Sequence, residues 1–197
     1  MSLQTPVLRQ PGSPVDPLFP ARWSPRAFSD TPVTAGQVEV LLEAARWAPS
    51  AASGQPWRLV WALRGEAGFQ AILDGLVPFN REWAAQAAAL IVVASKDRMV
   101  GRDGAETENR WAGFDSGAAW MSMALQAAKS GLMAHAMGGF DAAVLGGALG
   151  LPEGHSLHAV VAVGHLGRPE SLSETLRARE VPSPRLPLEE IAFHGRF

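Results

Sequence analysis

Between Thr34 and Arg46 the apolar residues Val38, Leu41, Leu42 and Ala45 recur at the spacing of one helical face. Thr34 and Gln37 form a capping-box pattern at its start, and Pro49 marks its end. Trp57 to Leu63 reads as a strand, Glu66 to Leu76 as a short helix and Pro78 as a turn. Arg81 to Ala88 reads as a further helix leading into the buried strand Ala89 to Ser95. A polar stretch, Lys96 to Asp103, precedes the longest helical segment, about Glu106 to Ser130. Trp111, Phe114, Ala118, Met121, Leu125 and Ala128 line one side of it, while Gly113, Gly117 and Ala124 thin it for close packing. Gly131 stops it. There follow a strand (Leu132 to Ala136), the turn Met137-Gly138-Gly139, a helix (Asp141 to about Leu149) and a strand (Leu157 to Val163).

The two ends are different. Pro6, Pro11, Pro14, Pro17 and Pro20 make residues 1–21 an extended arm, and from Pro182 a proline-rich tail carries Ile191 and Phe193. No repeat or low-complexity linker divides the remainder, so residues 22–197 form one domain. Helices mixed with non-sequential strands fit an α+β, three-layer arrangement.

Composition narrows the function by exclusion. Seventeen basic and nineteen acidic residues leave a net charge of −2, which gives no support to a nucleic-acid or acidic-membrane partner. The longest apolar run, Ala87 to Ala94, is too short to span a bilayer, and the N-terminus lacks a signal-peptide layout. Without cysteine there is no disulfide or thiolate nucleophile, and a cytoplasmic location fits. His155 and His158 are too isolated from carboxylates to suggest a metal site, and His135, in an apolar strand, reads as a hydrogen-bonded core histidine. No G-x-S-x-G elbow occurs, and Gly146-Gly147-Ala148-Leu149-Gly150 ends a helix rather than opening one, so it is no dinucleotide fingerprint.

Positive signals lie in five places. Arg22, Ser24 and Arg26 alternate two guanidiniums with a hydroxyl, which suits a phosphate monoester. The Ser-, Gly- and Pro-rich loop from Pro49 to Trp57 lets backbone approach a flat polar ligand. Asn80 follows the Pro78 turn, the Gly138-Gly139 pair opens a helix, and Arg185 sits between prolines.

The segments Arg22 to Phe28 and Pro49 to Trp57 resemble the two N-terminal signatures of the nitroreductase family, the flavin-mononucleotide oxidoreductases. The resemblance runs from about Arg22 to Phe197. It implies a three-layer α+β fold whose central, mostly antiparallel sheet is flanked by helices, in an intertwined homodimer. By the same resemblance FMN lies at the dimer interface. Arg22 and Ser24 hold its phosphate, Arg185 completes that site, and Arg26 faces the pyrimidine edge of the ring. The loop carrying Pro49, Ser50, Ser53 and Gln55 covers the partner's flavin, with Ser53 where the family most often has Asn. Asn80 bonds the ring's polar edge, and Trp83 stands where some members carry lysine. A backbone N–H of Gly138 or Gly139 reaches flavin N5. The implied chemistry is ping-pong: NADH or NADPH reduces the flavin, which then reduces an electron-poor acceptor such as a nitroaromatic or quinone. No catalytic side chain is required. A specialised dehydrogenase or oxygen-using member, and a flavin-binding protein without efficient turnover, are the alternatives.

Overall fold

The structure is a computed structural model that describes residues 9–101 and 104–197. In chain order it contains α1 (Leu18–Ala21), α2 (Ala35–Arg46), β1 (Trp57–Leu63), α3 (Ala67–Asp74), α4 (Pro78–Ala84) and β2 (Ala89–Lys96). After these come β3 (Arg98–Val100), β4 (Glu106–Glu108), α5 (Ala112–Lys129), β5 (Met133–Met137), α6 (Ala142–Leu149), β6 (His155–Gly164) and α7 (Glu174–Arg177).

Residues Ala89 to Ser95 of β2 are all buried, the pattern of a strand covered on both faces. It sits inside a four-stranded sheet of order β1-β2-β6-β5 in which every pairing is antiparallel. Side chains alternate between faces. Leu90, Val92, Val160 and Ala162 join Phe69, Ile72, Leu76 and Leu145 of the α3, α4 and α6 layer. Ile91, Val93, Val161 and Val163 join Val38, Leu41, Ala119 and Met123 of the α2 and α5 layer. The expected three-layer α+β fold is therefore present in one chain, with the sheet as its middle layer. Among the described residues no helix is long and apolar enough to cross a membrane.

Five local expectations are corrected. The arm is not wholly extended: Asp16 accepts the Leu18 N–H at 2.8 Å and α1 forms, packing against α5, while Met1 to Leu8 lie outside the described residues. Pro78 opens α4 instead of making a turn, because at the first helical position its fixed φ fits and its missing N–H costs nothing. That helix accordingly runs from Pro78 to Ala84 rather than from Arg81 to Ala88.

The polar stretch after β2 and the expected start of the long helix form a hairpin, β3 with β4, held by Glu106 to Lys96 and Arg98 at 3.3 Å each. Arg102 and Asp103, at its turn, lie outside the described residues. Charged, exposed side chains hide such a strand pair from hydrophobic patterning. The helix starts later, at Ala112, after the Asn109 side chain accepts the Trp111 N–H at 3.1 Å.

The apolar stripe along α5 is for the most part not the side that packs within this chain. The packed side is made of Ala112, Asp115, Ser116, Ala119, Met123, Ala124, Ala127 and Ala128. Trp111, Phe114 and Met121 are exposed, Phe114 at 76%. Small side chains bring α5 close to α2 and the sheet, which turns the large ones outward. Of the anticipated stripe only Ala128 is fully inside.

Candidate functional site

Residues Arg22 to Phe28 are pinned along their back. The buried Glu180 carboxylate accepts the Arg26 N–H at 2.7 Å and the Ala27 N–H at 2.8 Å, and Phe28 bridges to Leu166. With Ala27 and Phe28 in the core, Arg22, Ser24 and Arg26 line a cavity of about 300 Å³. Arg185 and Ser183 enter it from the tail, Arg179 from just beyond α7, His135 from β5 and Arg9 from the N-terminal arm. Five of its ten lining residues are arginine and none is acidic, so it is built for an anion.

The electrostatics agree. Burial holds the Arg22 pKa below its ordinary value, and the nearby charges of Arg9 and Arg185 lower it further. Burial and Arg179 lower that of Arg26, against the opposing pull of Glu180, whose carboxylate lies 3.9 Å from the guanidinium. Arg22 donates to the Ser24 hydroxyl at 3.2 Å, and Arg185 to the Ser183 hydroxyl at 3.0 Å. The structure thus brings Arg22, Ser24, Arg26 and Arg185 together.

Pattern reading missed Arg9, Arg179 and the cavity-facing place of His135. The first two stand outside the Arg22 segment, Arg9 lying 13 residues before it, and no local motif marks them. His135 is hydrogen-bonded as expected, its Nδ1 donating to the Pro25 carbonyl at 2.9 Å. Its ring lies 4.6 Å from that of Trp83, which packs in turn on Phe28 at 6.3 Å.

The loop of Pro49, Ser50, Ser53 and Gln55 does not line this cavity in the same chain. It is nevertheless unusually shaped. Ala52, Ser53 and Gln55 have φ of 49°, 54° and 43°, left-handed backbone that non-glycine residues adopt at a cost. Ser50 Oγ accepts the Gln55 N–H at 3.0 Å, and buried Asp115 accepts the Ala51 N–H at 3.1 Å. These bonds tie down the two ends of the exposed tip, Ala52 to Gln55.

Asn80, Gly138 and Gly139 meet where β5 runs into α6. The Asn80 amide donates to the Gly139 carbonyl at 3.0 Å. A Cβ on Gly139 would lie 2.6 Å from Asn80 Nδ2 and 2.9 Å from Val77 Cγ2, so a larger residue there would displace the Asn80 amide. Exposed Gly138 has open space around it.

His158 is less isolated than its sequence neighbourhood implies. It is the extra residue of a bulge in β6, where the register with β2 shifts between Val93 and Ala94. It contacts Ser95 Oγ at 2.8 Å, and that hydroxyl donates to Asp97 at 2.8 Å. Among the described residues no group of three or more metal-ligating side chains forms.

The chain is thus a three-layer α+β protein with five arginines on the wall of one polar cavity, a donor set suited to an anion. Comparison with known proteins specifies the family. The model of the nitroreductase family matches residues 20–76 and 67–165. A crystal structure of an oxidoreductase containing FMN superposes with a TM-score of 0.94 at 41% identity, over 100% of this chain and 98% of that one. A Desulfovibrio desulfuricans protein provisionally named a nitroreductase, in complex with FMN, gives 0.73 at 26%, over 93% and 99% of the two chains. A Streptomyces coelicolor protein provisionally named as an NADH dehydrogenase/NAD(P)H nitroreductase is 34% identical over 99 residues, half of this chain and 48% of that protein. This chain belongs to the nitroreductase family.

Proposed function

We propose that this protein is a cytoplasmic, FMN-dependent oxidoreductase that works as a homodimer, taking electrons from NADH or NADPH. The acceptor proposed is an electron-poor molecule such as a nitroaromatic or quinone. The observation that carries the reading is the cavity of about 300 Å³ with five arginines and no acid on its wall. A phosphate monoester carries a charge of about −1.5 to −2 near neutral pH and has three acceptor oxygens, which that donor set fits. Similarity to an FMN-containing oxidoreductase at 41% identity supports the same cofactor, and the Streptomyces name supports the nicotinamide donor.

In this reading Arg22, Ser24 and Arg185 hold the phosphate. Arg26, oriented by Glu180, supplies positive charge toward the ring's pyrimidine edge, and Asn80 steadies the turn that presents Gly138 and Gly139. When bound, FMN supplies the redox centre, taking hydride from the nicotinamide and giving it to the acceptor. Glycine at position 138 leaves room for a flat ring beside the backbone. The preset Ser50 to Gln55 loop serves the partner's site, which explains why it lies off its own cavity.

The dimer is supported by the exposed Trp111, Phe114 and Met121 face of α5 and by a tail whose Leu186, Leu188, Ile191, Phe193 and Phe197 are all exposed. The direct experiment has two parts. Chromatography of the cofactor released on denaturation is expected to give FMN, and stopped-flow mixing with NADH or NADPH is expected to bleach the bound flavin. FAD as the main species, no affinity for added FMN, or an unreduced flavin refutes the proposal.

A further inference from the structure

The arginines of the cavity fall into two electrostatically different groups. Arg26 has the buried Glu180 carboxylate behind it, within 3.9 Å, which also accepts the backbone N–H groups of Arg26 and Ala27. The other group is Arg9, Arg22 and Arg185. Among the described residues none of these three has a carboxylate within ion-pair distance. They are close enough that Arg9 and Arg185 both depress the Arg22 pKa, and Arg185 depresses that of Arg9.

Arg9 is the unexpected member. It comes from the proline-rich arm, where the residues that follow it, Gln10 to Val15, are exposed, yet Arg9 itself is only 8% exposed. Its guanidinium donates to the Arg22 carbonyl and lines the cavity wall. Arginine is rarely buried without an acidic partner, because desolvating the charge is costly unless something negative meets it. A guanidinium has five N–H donors, so the bond to Arg22 leaves most of them for a ligand.

We propose that Arg9 is a direct ligand of the cofactor phosphate, which makes the N-terminal arm a third wall of the binding site beside the Arg22 segment and the Arg185 tail. The inference rests on the FMN reading above. Arg9 and Arg22 near the start of the described chain and Arg185 in the tail converge on one dianion, so binding of the phosphate joins the two regions. Three guanidiniums against a charge of about −2 also leave the loaded site slightly positive. Much of the affinity for FMN therefore resides in the phosphate rather than in the ring.

Riboflavin, which has the ring and ribityl chain but no phosphate, separates the contributions. Full-length apoprotein is titrated with FMN and with riboflavin, following flavin fluorescence, for the unaltered protein, Arg9→Gln and Arg9→Lys. Arg9→Gln is expected to weaken FMN about tenfold or more, the loss of a charge-assisted hydrogen bond. Riboflavin affinity is expected to stay unchanged, and Arg9→Lys to fall between, since it keeps the charge but loses the planar fork. Unchanged FMN affinity in Arg9→Gln overturns the proposal. So does an equal loss for both flavins, which would mean that Arg9 only supports the fold. An unaltered protein that binds FMN no more tightly than riboflavin refutes the phosphate reading of the whole cavity, whatever Arg9 does.

Discussion

Lowering the pH should destabilise this fold in part through His135, the histidine with the most strongly lowered pKa. Its ring is held against Trp83, and burial is the largest influence on it, bringing its pKa from the ordinary 6.5 to about 4. The Pro25 carbonyl, which accepts from Nδ1, pulls upward, while the charges of Arg26 and Arg22 push further down. Arg9, Arg179 and Arg185 line the same cavity, and none of its lining residues is an acid that would welcome an imidazolium. The unfolded chain therefore takes up this proton near pH 6.5, whereas the folded chain resists until about 4. Stability from the neutral ring is fully present above the unfolded pKa and falls as pH drops through the window between the two values. The loss runs at up to about 1.4 kcal/mol per pH unit, reaches about 2 kcal/mol between about pH 7.5 and pH 5, and levels at about 3 kcal/mol below both values. Urea denaturation of the apoprotein at these two pH values, at fixed protein concentration, measures it against His135→Gln. The variant loses some stability at both values, but its pH-dependent drop is expected to be smaller by about 2 kcal/mol. Equal drops in the two proteins would refute the assignment.

Two further outcomes follow from the site and the α5 face. Arg26→Ala should lower the two-electron midpoint of bound flavin by roughly 30–65 mV, from about 1.5–3 kcal/mol for a charged hydrogen bond at about 30 mV per 1.4 kcal/mol. Glu180, 3.9 Å from Arg26, offsets part of the positive charge and moves the expected value toward the lower end. Arg22→Ala should weaken FMN binding and leave that potential nearly unchanged; spectroelectrochemistry showing the reverse pattern would exchange their roles. Sedimentation at low micromolar concentration should give a dimer for the unaltered protein and a monomer for Phe114→Glu, which puts a charge on the outer face of α5. A variant that dimerises as well as its parent would place the interface elsewhere.

Much of this architecture follows from short-range physics and is visible in the chain itself. The capping box of Thr34 and Gln37 starts α2, with the Gln37 N–H donating to the Thr34 hydroxyl at 3.2 Å. The unbroken apolar run of β2 requires a layer on each face, and its alternating side chains divide between two cores. The order of the arginine segment, the Pro49 loop, the paired glycines and Arg185 was equally legible, because each is a local run of residues with a chemical reason to be there.

What patterning could not decide is which of two apolar faces turns inward and which distant charges meet. Both faces of α5 are apolar, one of small residues and one of Trp, Phe and Met; only the close approach of α2 and the sheet selects the small one. The β3–β4 hairpin depends on cross-strand charges rather than on hydrophobic alternation. Arg9, Arg22, Arg179 and Arg185 share a cavity because the arm, the tail and the end of α7 return to the same edge of the sheet, with Glu180 anchoring Arg26 across 154 residues. Local propensity acts over a few residues of backbone, whereas a like-charged cluster exists only where packing energy from the rest of the fold holds it together.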